Sequence, residues 1–395
     1  MTRRFARRTA TPLILLFVLF VLLGSLLPAN PAAAAASTGQ PPEIGGVSAI
    51  LVDMDDGRVI YEKNADERRS TASTTKIMTG ILSLETLPMD RMVTASKKAA
   101  DVGESEIWLE PGESLSVSDL LYALLVRSAN DAAVALAEAS AGSLEGFVQK
   151  MNEKAISLGL KNTHYANPHG LEAKEHYSSA RDLAALARYA MRNEEFRRLV
   201  STVTATIPWP GHEYKRTLHN RNDLVGETPF ITGIKTGYTG KAGYCLVGSG
   251  ARDGVSLISV ILGEPTKESV DDDTVKLLEY GFAKYQRVVL TDKDLPVAEV
   301  DVPYHFSGKL PLLTDRRLVR TVYADDPVEQ TVTVVDQLEL PVEKGQTLGK
   351  VVYTVGGRPA GEVELVAGTA VEKATLAVKL RFLWDRFKYW LSTNV

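Results

Sequence analysis

Strand-like runs stand on both sides of a long helical stretch in this chain, and that order restricts the fold more than any other feature. Gly46 to Tyr61 reads as a hairpin: the apolar run Val47 to Val52, a turn at Asp55-Asp56-Gly57, then Val59-Ile60-Tyr61. Helical patterns follow. Ile77, Met78, Ile81, Leu82 and Leu84 supply apolar faces between Ser73 and Thr86, and Leu120, Leu121, Leu124 and Leu125 recur at helical spacing after Ser118. Ala132 to Ala137 suits close helix packing, and 178–200 reads as helical, opened by Ser179 three residues before Asp182. Strand character returns at Phe230 to Thr236, Gly243 to Gly248 and Val255 to Leu262, and a helix over Asp273 to Tyr285 closes the unit. This order predicts an α+β domain whose first and last strands share one antiparallel sheet.

Past about Arg287 the composition changes. Val288-Val289-Leu290, Ala298 to Val302, Thr331 to Val335 and Gly349 to Val355 cluster or alternate β-branched residues, with turn signals such as Gly356-Gly357 between them. The expected organisation is a first domain over 37–286, a small all-β domain over 287–372 and a helix over 373–395. In that helix Leu376, Leu380, Leu383, Trp384, Phe387 and Leu391 recur at helical spacing, with Trp390 at the edge. Lys379, Arg381, Arg386 and Lys388 surround them, and only Asp385 opposes. Charges interrupt the run too often for a span, so it reads as a helix lying in a membrane interface. The other arrangement is a helix docked on its own domain.

The start of the chain is of a different kind. Arg3, Arg4, Arg7 and Arg8 precede an apolar run from Pro12 to Leu27, and Ala32 to Ala36 supply small-residue cleavage sites. Residues 1–36 therefore read as a secretory signal peptide and the protein as exported. A retained anchor is the alternative, which the alanine tract disfavours. Losing the segment removes four positive charges and no negative ones, taking the formal charge from -4 to -8. Nucleic acid is not an expected partner, because binding phosphate takes a basic face. Cys245 is the only cysteine, so no internal disulfide can form. Its neighbours Tyr244, Leu246 and Val247 mark it as a buried core residue rather than a nucleophile.

Three short motifs occur in order: Ser73-Thr74-Thr75-Lys76, Ser128-Ala129-Asn130 and Lys235-Thr236-Gly237. Singly, each is short enough to be a helix cap or a surface turn. Jointly they are the ingredients of nucleophilic catalysis. A serine hydroxyl attacks poorly until a base takes its proton. Ser73 and Lys76, three apart on a predicted helix, share one face. Lys76 serves as base only if burial or a nearby cation lowers its pKa, and Lys235 is the obvious second cation. The helix start also aims N–H groups at a developing oxyanion. Ser128 can relay a proton between Lys76 and the leaving group, and Asn130 can hold a substrate amide or the lysine. Lys235 and Thr236 on an edge strand suit a substrate carboxylate, with Gly237 letting substrate lie against the strand. His169 and His176 invite a metal reading, but no carboxylate–histidine cluster at ligand spacing accompanies them, so no metal and a structural loop are expected.

With the flanking stretches Ala72 to Thr79, Ser128 to Ala133, Asn167-Pro168-His169-Gly170-Leu171 and Lys235 to Cys245, the chain resembles the low-molecular-mass penicillin-binding proteins. Among them it is most similar to the serine-type D-alanyl-D-alanine carboxypeptidases, over essentially everything after residue 36. The resemblance implies a β-lactamase/transpeptidase-like domain, an antiparallel five-stranded sheet covered by helices, followed by the β-rich domain. It implies Ser73 as acylated nucleophile, Lys76 as base, and Ser128 and Asn130 as proton-relay and substrate contacts. Lys235 and Thr236 would bind the terminal carboxylate, and the N–H groups of Ser73 and Tyr238 would form the oxyanion hole. Thr71 stands where the family often has proline.

The implied substrate is a peptidoglycan stem peptide ending in D-Ala-D-Ala, hydrolysed without a cofactor at the outer face of the bacterial cytoplasmic membrane. β-Lactam antibiotics are the implied covalent inhibitors. A DD-transpeptidase or endopeptidase using the same acyl-enzyme is the alternative. A non-catalytic cell-wall scaffold is another, opposed by the intact set Ser73, Lys76, Ser128, Asn130, Lys235 and Thr236. Class A β-lactamases carry a glutamate that directs water onto the acyl-enzyme. No glutamate in this chain has an asparagine four residues later, so slow turnover of penicillin, hence inhibition, is expected.

Overall fold

The structure, a computed structural model, describes residues 39–305 and 308–394; the expected signal peptide, 1–36, lies outside them. β1 (Ser48–Asp53) and β2 (Val59–Lys63) form the expected hairpin. Helices α1 (Lys76–Thr86), α2 (Asn130–Ala141), α3 (Leu144–Ser157) and α4 (Ala180–Ala190) follow. Then come β3 (Ile231–Thr239), β4 (Gly243–Arg252), β5 (Val255–Glu264) and α5 (Lys267–Phe282). The strands pair antiparallel in the order β2-β1-β5-β4-β3, so strands from the two ends of the domain lie side by side.

Helices cover both faces, which is why β1 is buried at every position. Side chains alternate along a strand. Ile50 and Val52 therefore join the core shared with α1, α2 and α4, while Ala49 and Leu51 join Val270, Leu277, Leu278 and Phe282 of α5. Ser179 caps α4 as expected, accepting from the Asp182 N–H at 3.2 Å. The helical stretch 178–200 is however two helices, because Asn193 accepts from the Phe196 N–H and starts a new one at Glu194–Val200. α5 begins well before the expected Asp273, since Thr266 and Ser269 form a reciprocal cap, and it ends before Tyr285, which opens a strand.

The β-rich domain starts with that strand, slightly ahead of residue 287. Tyr285–Thr291 pairs with Leu318–Tyr323. Five more strands run in the order Pro296–Asp301, Lys309–Thr314, Arg358–Ala367, Thr347–Val355, Val328–Val334. Leu310, Leu312, Val351, Val363 and Leu365 belong to its separate core. Polar contacts join it to the β1–β2 hairpin. Arg58 grips Asp326 through both guanidinium nitrogens at 2.8 Å each and lies 4.4 Å over the Tyr323 ring, and the Tyr285 hydroxyl donates to Asp53. The last helix, α6 (Leu376–Asn394), leaves Leu376, Leu380, Leu383, Trp384 and Phe387 exposed, while Phe382 meets Tyr304 edge-on. Among the described residues no helix is long and apolar enough to cross a membrane.

Candidate active site

The nucleophile precedes its helix. Ala72–Thr75 is a 3-10 turn, tied by the Thr74 N–H and hydroxyl to the Thr71 carbonyl, and α1 proper begins at Lys76. Ala72, just before Ser73, sits at φ 48°, a left-handed conformation that strains any residue with a Cβ. Ser73 is half-buried and Lys76 fully so. Lys76 Nζ lies 2.8 Å from Ser73 Oγ, 2.7 Å from Asn130 Oδ1 and 2.8 Å from the His169 carbonyl oxygen. The last two oxygens can only accept, so they take two N–H groups; a neutral amine then has its lone pair left for the Ser73 hydroxyl. Burial, and next the charge of Lys235, hold the Lys76 pKa well below the usual lysine value, against a smaller pull from Asp131.

The Asn167 to Leu171 stretch exists to present that carbonyl. Asn167 accepts from the Gly170 N–H at 2.7 Å and donates to the Leu171 carbonyl at 2.8 Å, closing the loop on itself. Gly170, at φ 91°, lies so close under the turn that a Cβ would overlap the Ala72 carbonyl. His176 hydrogen-bonds Thr75 Oγ1 at 2.9 Å. Burial lowers His169 to about 3 and His176 to about 4, so both stay neutral loop residues.

Ser128 follows a π-helical segment, Ala123–Arg127, and stands in the left-handed region at φ 69°. Asn130 opens α2 with its Oδ1 on Lys76 and its amide donating to the Gly103 carbonyl, so of its two expected roles it visibly performs the holding of the lysine. Buried Asp131 accepts from the N–H groups of Ile107, Leu109 and Ala132, which folds the 103–109 loop along the site. The Ser128 hydroxyl is not among the partners of Lys76.

β3 is an edge strand. Lys235 on it is buried, donates to the Thr236 carbonyl at 3.0 Å, and is lowered to about 7 by burial and then by the charge of Arg221. A Cβ on Gly237 would lie 2.9 Å from the Thr71 oxygen and 3.0 Å from the Ser73 nitrogen. The motif reading has this glycine make room for substrate; in the structure the room is taken by the nucleophile's own turn. Ser73, Ser128, Thr236, Gly237 and Tyr238 line one cleft of about 310 Å³, over the buried Lys76, Asn130 and Lys235. All the motif residues thus converge. A larger cavity, about 1180 Å³ between the β-rich domain and α6, holds none of them.

Five cleft residues escape the sequence reading: Ser105, Arg221, and Lys267, Val270 and Asp271 of α5. The Arg221 N–H donates to the Val126 carbonyl at 3.0 Å, while its guanidinium forms no ion pair among the described residues. Burial first, and then the charge of Arg221, lower both Lys235 and Arg127, so positive charge gathers in this part of the cleft. A single arginine in a loop has no motif by which to be found.

Residues 35–266 match the family described as D-alanyl-D-alanine carboxypeptidase, and 285–373 match the C-terminal domain of penicillin-binding protein 5. The chain is 36% identical over 352 residues to the D-alanyl-D-alanine carboxypeptidase DacF of Bacillus subtilis, covering 86% of this chain and 90% of that one. A crystal structure of penicillin-binding protein 5 from Haemophilus influenzae superposes with a TM-score of 0.61 at 31% identity, over 85% of this chain and all of the other. A Streptomyces DD-transpeptidase gives a TM-score of 0.59 at 36% identity, over 61% of this chain and 99% of the other.

Proposed function

This chain belongs to the D-alanyl-D-alanine carboxypeptidase family, and from that premise we propose that it removes the terminal D-alanine of peptidoglycan stem pentapeptides through an acyl-enzyme at Ser73. One observation carries the reading: a buried Lys76 amine 2.8 Å from Ser73 Oγ, its remaining hydrogens committed to Asn130 and His169. Lys76 takes the Ser73 proton as Oγ bonds to the carbonyl carbon of the penultimate D-alanine. The N–H groups of Ser73 and Tyr238 receive the oxyanion. Lys235 and Thr236 hold the terminal carboxylate, with Arg221 beside them. The C–N bond then breaks, the proton passes from Lys76 through Ser128 to the leaving amine, and D-alanine departs. Water attacks the ester carbonyl as Lys76 takes its proton, the C–Oγ bond breaks, and Lys76 returns the proton to Ser73 Oγ, which restores the free enzyme. Penicillins acylate the same oxygen and block it.

Incubation with a peptide ending in D-Ala-D-Ala, alongside a fluorescent penicillin, tests this. Ser73→Ala abolishes both hydrolysis and labelling; labelling that survives removes Ser73 from its role. The likeness to a DD-transpeptidase supports a second reading, which an added amine acceptor separates: transfer yields a ligated peptide, hydrolysis a free acid.

The other segments serve delivery and placement. Residues 1–36 direct export, the domain from 37 up to the strand that opens at Tyr285 does the chemistry, the β-rich domain runs from that strand to 372, and 373–395 lie on the outer surface of the cytoplasmic membrane. The exposed row Leu376, Leu380, Leu383, Trp384 and Phe387 supports that last point. Truncation after Ala374 releases the protein from membranes with its activity intact; a truncated form that still pellets with them places the anchor elsewhere.

A further inference from the structure

The cleft has a wall that the three motifs do not contribute. Lys267, the first residue of α5, lines it with Asp271, alongside Arg221 and Thr236. Lys267 Nζ stands 2.7 Å from Asp271 Oδ2, one turn along, and 2.7 Å from Asp223 Oδ2, two residues past Arg221. The loop bearing Arg221, whose guanidinium has no ion-pair partner among the described residues, is thus tied at two points. Its Arg221 N–H is fastened to Val126 and its Asp223 to α5. Within it Asn222 is buried, its N–H on Asn220 Oδ1 at 2.9 Å, so the turn is compact.

A lysine at the first position of a helix opposes the helix dipole. Asp271 is itself half-buried, its Oδ1 has no partner, and burial raises its pKa, so Lys267 is what compensates it. With side chains 45% and 55% exposed, the Lys267–Asp223 pair adds little to stability. Its consequence is geometric.

Resting on the carboxypeptidase reading, we propose that Lys267 is a positioning residue: held by Asp271, it anchors Asp223 and so fixes Arg221 against the terminal carboxylate of the acyl donor. The Asp271–Lys267–Asp223 chain then sets the preference for donors that end in a free carboxylate.

The test compares acylation of the full chain by benzylpenicillin and by its methyl ester, and KM and kcat for a D-Ala-D-Ala peptide. Lys267→Met cuts the acid-over-ester preference and raises KM by about tenfold each, the scale of one weakened charged hydrogen bond, with kcat changed far less. Asp223→Asn, which leaves Lys267 on Asp271, gives the same loss, and Lys267→Arg restores the preference. Lys267→Met added to Arg221→Ala costs nothing more, because both act through one guanidinium. A wild-type preference in Lys267→Met or Asp223→Asn, or losses that add to that of Arg221→Ala, overturns the proposal while the carboxypeptidase reading stands. A wild-type enzyme that neither takes the peptide nor is acylated by either donor removes that reading, and the proposal with it.

Discussion

The two domains treat charge in opposite ways. Among the described residues, the first domain buries Lys76, Lys235, Asp131, Asp182, Arg216 and Asp273, whereas the buried polar residues of the β-rich domain are Thr291 and Thr314 alone. Burying a charge is costly unless it is paired or neutralised. Arg216 meets that condition through Glu113 at 2.9 Å. Lys76 and Lys235 do not: their partners are neutral oxygens, and both shed their charge more readily than an ordinary lysine. Unpaired buried lysines mark a place organised for reaction rather than for stability. The β-rich domain, with apolar side chains inside and charges outside, is organised for folding and for holding position.

That contrast can be broken or sharpened by experiment. The largest effect, after loss of Ser73, belongs to Gly237→Ala. The added methyl must push the Thr71–Ser73 turn away from β3, and a displacement of that kind lowers kcat/KM by about a hundredfold. Near-normal activity would mean the turn adapts, and the site is less tightly built than the buried network suggests.

The next effect is on pH. Lys76 works as a neutral base, so kcat/KM rises with pH until its lowered pKa is passed. Lys235 works as a cation with a pKa of about 7, so kcat/KM of the free enzyme falls again above that pH. Lys235→Arg stays charged and removes the alkaline fall while leaving the acid limb in place. An alkaline limb that survives this change assigns it to another group.

The smallest effect on chemistry comes from the other domain. Leu312→Ala empties part of its core and costs about 2–5 kcal/mol of stability in thermal or denaturant unfolding, with kcat/KM unchanged. A fall in kcat/KM for the folded variant would show that Arg58, Tyr285 and their acidic partners transmit the state of one domain to the other.

Much of this was legible in local chemistry. The β1–β2 hairpin, the strands after Phe230 and the cap at Ser179 follow from alternation, turn residues and a side-chain oxygen three residues before an N–H. α3 was not, because only Phe147, Met151 and Ala155 of it are buried, too thin a stripe to separate from chance. Lys309–Thr314 contains Pro311, and Arg358–Ala367 contains Pro359 and Gly361, residues that argue against a strand until neighbours supply the pairing. At the site, Ser73, Lys76, Ser128, Asn130, Lys235 and Thr236 stood out because motif residues keep fixed spacing within one turn or strand. Arg221, Ser105 and Lys267 keep no spacing with anything, and they enter the cleft through loops and a helix end.

Residue order alone determined which side chains are reactive and which segments alternate, because both depend on neighbours a few positions away. The protonation of Lys76, the role of Gly237 and the company of Arg221 were decided only when β3, the 3-10 turn and the 167–171 loop closed on one another. Burial and Coulomb forces depend on distance through space, and no local pattern encodes that distance.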